Sequence, residues 1–308
     1  MLLLVGVVVI VGGVVALGAL TFLDGTGAPQ ATATFDYEQT PVGLRMTPNA
    51  ISTAVTVQLN GRDVATFTPD SAGQSVLLPT APGDEITVVS RDGERSVLVQ
   101  ETVEGRSEIG DFIAYYTFDE GSGDTLIDRS GTDNGGRLKG DPRWNGDFLR
   151  FDGSGDYVQV NDIQAPDGVE VSEFTVAIAF NERNNNGIGK LFEHNYNDYN
   201  NEWYMELKGS RNLKYTVTSY PDTVGVGGFT QNERYVAVGV YDGSEFTLYA
   251  NGQQRGSSAT LDVNLGDMNI GAETDPAGKY FNGDIYEMRL YYHAFDADEV
   301  EVITNAME

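Results

Sequence analysis

The segment Glu193-His194-Asn195-Tyr196-Asn197-Asp198-Tyr199-Asn200-Asn201-Glu202-Trp203-Tyr204 places amides, carboxylates and aromatic rings between two strand-like runs. Aromatic faces stack on the C–H surface of a sugar ring, and amides and carboxylates form paired hydrogen bonds with its hydroxyls, so the mixture suits carbohydrate binding. Asn195, Tyr196, Asn197, Tyr199 and Trp203 are the candidate sugar contacts, with Asn184 to Asn186 a second polar group. The plainer alternative is a loop of ordinary turn formers followed by a core strand that begins at Trp203 and Tyr204. Glycoside hydrolysis needs two carboxylates facing one cleft. Glu202 and Glu206 are spaced too widely for a pair at alternate positions of one strand, and Asp284 and Glu287 point to opposite faces of a regular strand. His194 and His293 are the only histidines, and neither sits in a triad or metal motif. The residues therefore predict binding and no enzymatic activity.

Short strands must position these groups. Ala31, Ala33, Phe35 and Tyr37 alternate with polar residues, and Val55, Val57 and Leu59 alternate into Asn60-Gly61, a strong hairpin signal. A second hairpin runs from Glu85 to Ser90, turns at Asp92-Gly93 and returns through Arg95 to Thr102. These runs predict a small β-sandwich over 31–104, a linker over 105–111 and a second β-domain over 112–308. In the latter, many antiparallel runs without a helical period point to a two-sheet jelly roll. One helix is expected at its end, where Asp296 and Glu299 have capping-box spacing. The fold class is thus mainly β, with an apolar helix at the N-terminus.

That helix is the stem, residues 1–23, an apolar and glycine run whose first charge is Asp24. At ~1.5 Å per residue it reaches roughly 35 Å, enough to cross a bilayer core of about 30 Å. A Gly, Thr, Ala and Pro linker follows over 24–30. Gly6, Gly12, Gly13 and Gly18 would permit close helix packing, either in a membrane or at the centre of a filament. The formal charge of −27 argues against nucleic acid or anionic lipid as partners of the soluble part, and with so few lysines it suits concentrated salt. The absence of cysteine excludes disulfides and thiolate metal sites.

The stem followed by Ala28-Pro29-Gln30-Ala31-Thr32-Ala33-Thr34-Phe35-Asp36-Tyr37, and then the hairpins of Val57 to Val103, resembles the haloarchaeal type IV pilin family. Such pilins carry a short basic leader that is cut off before the apolar run, so Met1 either opens the mature subunit or follows a leader. A second resemblance covers residues 112–308. It is carried by Tyr115-Tyr116-Thr117-Phe118-Asp119-Glu120-Gly121-Ser122-Gly123-Asp124, Asp128-Arg129-Ser130-Gly131, Leu149-Arg150-Phe151-Asp152-Gly153, Tyr241-Asp242-Gly243-Ser244 with Leu248-Tyr249-Ala250-Asn251-Gly252, and Phe281-Asn282-Gly283-Asp284-Ile285-Tyr286-Glu287. These blocks look like a laminin G-like, concanavalin A-like jelly roll. The resemblance implies a lectin-like adhesive module, and a calcium ion held by Asp119, Asp128, Asp133, Asn134 and Asp284, although Tyr286 replaces the usual acidic residue before Glu287. Together the resemblances imply an extracellular filament subunit, membrane-inserted before assembly, that polymerises with itself through its stem and displays a domain for a surface glycan or protein ligand. The alternative is a membrane-anchored lectin-like protein that does not polymerise.

Overall fold

The structure, a computed structural model, describes residues 15–16, 32–90, 96–103, 110–184, 187–194, 202–209, 212–217, 223–258, 261, 263–274 and 279–308. The chain divides into two compact units, residues 1–111 and 112–308. In the first, β1 (Val15–Ala16), β2 (Ala33–Thr40), β3 (Gly43–Ile51), β4 (Val55–Leu59), β5 (Arg62–Phe67), β6 (Val76–Leu78), β7 (Glu85–Ser90) and β8 (Ser96–Thr102) form two four-stranded sheets, ordered β1-β2-β3-β6 and β5-β4-β7-β8. Phe35 of one sheet packs on Phe67 of the other, with ring centroids 5.9 Å apart. The Asn60-Gly61 turn has φ of 52° and 79°, the left-handed pair that a tight two-residue hairpin requires.

Most of the stem, including Gly6, Gly12, Gly13 and Gly18, lies outside the described residues. Where it is described, it is not helical: Val15 and Ala16 pair antiparallel with Tyr37 and Asp36. The open edge of β2 offers backbone donors and acceptors that an apolar, β-branched segment can satisfy. Among the described residues no helix is long and apolar enough to cross a membrane.

The second unit comprises β9 (Phe112–Tyr116), β10 (Thr125–Leu126), β11 (Gly136–Lys139), β12 (Arg143–Trp144), β13 (Leu149–Asp152), β14 (Tyr157–Val160), β15 (Phe174–Glu182), β16 (Ile188–His194), β17 (Trp203–Lys208), β18 (Asn212–Val217), β19 (Thr223–Gly227), β20 (Arg234–Tyr241), β21 (Glu245–Ala250), β22 (Gln253–Ser258), β23 (Met268–Ile270), β24 (Asn282–Tyr291) and α1 (Ala297–Met307). One sheet runs β10-β11-β14-β23-β16-β17-β18-β19; the other runs β12-β13-β24-β15-β20-β21-β22, with β9 also along β24. Alternation turns Phe174, Ile178 and Phe180 of β15 and Trp203, Met205 and Leu207 of β17 into one core between the sheets. At α1 the Asp296 carboxylate accepts from the Glu299 amide at 2.9 Å, and the Glu299 carboxylate accepts from the Asp296 amide at 3.0 Å. This reciprocal cap starts the helix that buries Val300, Ile303 and Met307.

Candidate functional site

The period of two that sends Trp203, Met205 and Leu207 inward sends Glu202, Tyr204, Glu206 and Lys208 to the outer face of the first sheet. On β18 the same face carries Asn212, Lys214 and Thr216. Strand β16 adds two more groups through an irregularity. Lys190 and Glu193 are three residues apart and would face opposite ways in a regular strand, but the register shifts between Lys190 and Phe192, so Lys190 lies opposite Glu206 and Glu193 opposite Tyr204. Both reach the outer face, and the Lys190 ammonium lies 2.6 Å from Glu193, 3.7 Å from Glu206 and 3.0 Å from the centroid of the Tyr204 ring.

The second carboxylate oxygen of Glu193 accepts the Thr274 amide at 2.7 Å, and Lys279 pairs with Glu273 at 2.8 Å. Burial pulls the Lys190 ammonium below the usual lysine range even though Glu193 and Glu206 oppose the shift. For Lys279 burial acts in the same direction, but the hydrogen bond and charge of Glu273 outweigh it and raise the group. Glu202 is 7% exposed, and no hydrogen bond or ion pair satisfies it among the described residues. Burial, then the charge of Glu193, pushes its carboxyl up to about 7. The arrangement is an aromatic ring framed by fixed hydrogen-bonding groups. Beside it a pocket of about 230 Å³ opens between Gly187–Gly189 and Lys279–Asn282.

Of the candidate sugar contacts, Asn195, Tyr196, Asn197 and Tyr199 lie outside the described residues, as do Asn185 and Asn186. Trp203 is a core residue and not a sugar platform: it is fully buried against Phe174 and His194, with ring centroids 4.7 and 4.6 Å away. The aromatic group on the outer face is its neighbour Tyr204. Strand alternation from Trp203, Met205 and Leu207 was the signal for it in the sequence; nothing in the sequence marked the β16 bulge.

The five candidate calcium ligands are not brought to one point. Asp128 accepts the amides of Tyr115 and Ser130 on one oxygen (2.9 Å each) and those of Asn134 and the Thr132 hydroxyl on the other (2.8 Å each). Asn134 is buried and donates to the carbonyls of Ile113 and Gln164. Asp119 pairs with Arg129 at 2.7 Å, Asp284 is held by Arg150 at 2.8 Å and Arg183 at 3.1 Å, and Asp133 is exposed in a left-handed turn. The carboxylates that do converge among the described residues are Asp141, Asp152 and Asp156, with oxygens within 4.8 Å of one another. Asp156 is buried and accepts the Asp141 amide at 2.8 Å and the Asp152 amide at 3.0 Å. Burial raises its carboxyl, and the neighbouring carboxylates add to the shift against the lowering effect of the two amides. Gly140 lets the loops close this tightly, since a Cβ there would stand 2.4 Å from the Gly155 carbonyl and 2.6 Å from Asp156. Three converging carboxylates, partly offset by Arg143 beside Asp141 and by the amides that Asp152 and Asp156 accept, match the donor chemistry of calcium.

A family model described as the concanavalin A-like lectin/glucanases superfamily, of laminin G type, matches residues 152–301. The second unit has a concanavalin A-like jelly-roll fold, and its residues 152–301 are similar to the laminin G type. Its fold is similar to that in the crystal structure of the receptor binding domain of botulinum neurotoxin C/D mosaic serotype, with a TM-score of 0.50, 14% identity, and coverage of 64% of this chain and 51% of that one. The binding domain of botulinum neurotoxin serotype D gives 0.49 and 12%, over 64% and 51% of the two chains. The Ruminococcus gnavus IT-sialidase CBM40 bound to α2,3-sialyllactose gives 0.38 and 14%, over 44% and 83%. The chain thus spans about half the length of the toxin binding domains it matches. No match is found among curated proteins.

Proposed function

We propose that the jelly roll binds glycans on the outer face of its first sheet and that the chain is an extracellular type IV-like pilus subunit that displays this domain for adhesion. The observation that carries the glycan reading is the composition of that face, where Tyr204 stands among Glu193, Glu202, Glu206 and Lys190 and the Glu202 carboxyl has no hydrogen-bond partner among the described residues. The partly exposed Tyr204 ring gives a pyranose a stacking surface and Glu202 beside it a hydroxyl partner, while the buried Lys190, Glu193 and Glu206 hold one another in place behind them. The pilus reading draws on the apolar run over 1–23 and the β-sandwich that follows it.

The role is binding and not hydrolysis. Glu206, the carboxylate that would serve as nucleophile or base beside Glu202, is committed to Lys190, and Glu193 to Lys190 and Thr274. Calcium, where bound, is held at Asp141, Asp152 and Asp156, and there it would neutralise the loops between β11 and β14. Screening the full chain against an array of oligosaccharides tests the glycan reading. Retention of a defined glycan, reduced roughly tenfold or more by Tyr204→Ala, is the expected result. A chain that retains no glycan, or a Tyr204→Ala variant that binds as well as the parent, would overturn it.

A further inference from the structure

The sequence contains only five lysines against a net charge of −27, and Lys190, Lys208, Lys214 and Lys279 are four of them. All four lie on or beside the outer face of β16–β18. Two are neutralised in place, Lys190 by Glu193 and Glu206, and Lys279 by Glu273. The other two have no ion-pair partner among the described residues. Lys208 pairs across the strands with Asn212 and Lys214 with Glu206, so the two lysines are diagonal neighbours on one face, within mutual reach of long side chains. Two like charges so placed repel each other, and the chain's scarcity of lysine makes their coincidence here unlike its treatment of the rest of its surface.

The edge strand β19 leaves room beside them. Gly225 lies opposite Lys214 on the outer face and is exposed. Packing does not require glycine there: an added Cβ would meet the Leu213 carbonyl at 3.5 Å and Lys214 Cγ at 3.8 Å, ordinary contact distances. The missing side chain therefore leaves open floor next to the Lys214 ammonium.

We propose that this face takes an acidic saccharide, with the carboxylate or sulfate of the sugar seated between Lys208 and Lys214 over the Gly225 floor and its hydroxyls directed towards Tyr204. The inference rests on the glycan reading above and narrows it to a chemical class. An anionic group between the two ammoniums relieves their repulsion, while a neutral sugar gains nothing there.

The test uses matched pairs on the full chain: trigalacturonate against its methyl ester, and a sulfated lactose against lactose, each titrated calorimetrically. The expected result is that the acidic member of at least one pair binds about tenfold or more tightly than its neutral partner. The Lys208→Gln/Lys214→Gln double variant should remove that preference without weakening the neutral member. Lys139→Gln, five strands from β18 in the same sheet, should change nothing. Which pair responds separates carboxylate from sulfate recognition. Equal binding within both pairs, or a preference that survives the double variant, overturns the inference and leaves the glycan reading standing. Failure of every sugar to bind removes both.

Discussion

Glu202 sits among Glu193, Glu206, Lys190 and Lys279 with no hydrogen bond or ion pair among the described residues, and that position sets a pH dependence. Its carboxyl titrates near 7 in the folded protein against an ordinary 4.5. The folded state therefore keeps a proton that the unfolded chain has released. Its contribution to stability is full below pH 4.5, declines as pH rises through about 7, and is constant beyond. Glu202→Gln holds the neutral form at every pH and should flatten that slope, gaining no more than about 3 kcal/mol at pH 8 relative to pH 5. Denaturant titrations at the two values check it, and an unchanged slope in the variant would show that Glu202 is not the titrating group. Asp156 gives a second expectation at this scale. If calcium is held there, millimolar calcium should raise the melting temperature of the parent by several degrees, and Asp156→Asn should abolish the increment whatever its own baseline. An equal increment in both proteins would place the ion elsewhere.

At the scale of elements, the strand joining β9 to the loops that follow it depends on Asp128. Its two oxygens accept four hydrogen bonds that tie Tyr115, Ser130, Thr132 and Asn134 together. Removing the carboxylate strands these donors in part-buried surroundings, so Asp128→Ala should cost about 2 to 4 kcal/mol. The loss should be the same with and without a chelator, because the clamp is made of amides and a hydroxyl; a loss that vanishes on chelation would return Asp128 to the ligand set. The elements were partly legible in the sequence, for physical reasons that differ from place to place. Asn60-Gly61 and the Asp296/Glu299 cap are local devices, and each forms where its spacing indicates. The blocks that resemble a laminin G-like domain likewise fall on β9, β13, β21 and β24. Asp128 could not be read as a clamp, because its partners are backbone amides, which carry no residue identity. The Lys190–Glu193 pair was hidden by a bulge that no proline marks and that reverses the parity of everything after it. Trp203 illustrates the opposite case, a residue whose chemistry suits sugar but whose strand parity buries it.

At the scale of the whole molecule, the charge of −27 and the apolar run over 1–23 call for different surroundings. Acidic surface keeps the chain hydrated, and salt screens repulsion between copies beyond about 10 Å at moderate ionic strength. Burying the stem offers ~1 to 2 kcal/mol for each large apolar side chain, whether the surroundings are lipid or other stems. What separates those two fates is contact between backbones, which small residues permit and bulky ones block. Replacing Gly12 and Gly13 with leucine should therefore abolish filaments while leaving the chain in the membrane fraction, since leucine is at least as apolar as glycine. The measurement is the amount of this chain in material sheared from the cell surface, beside the amount in membranes, with the N-terminus determined in each. Parent chain in the sheared fraction with its apolar run intact, and variant chain confined to membranes, is the outcome a self-assembling subunit requires. Parent chain found only in membranes would make it an anchored binding protein.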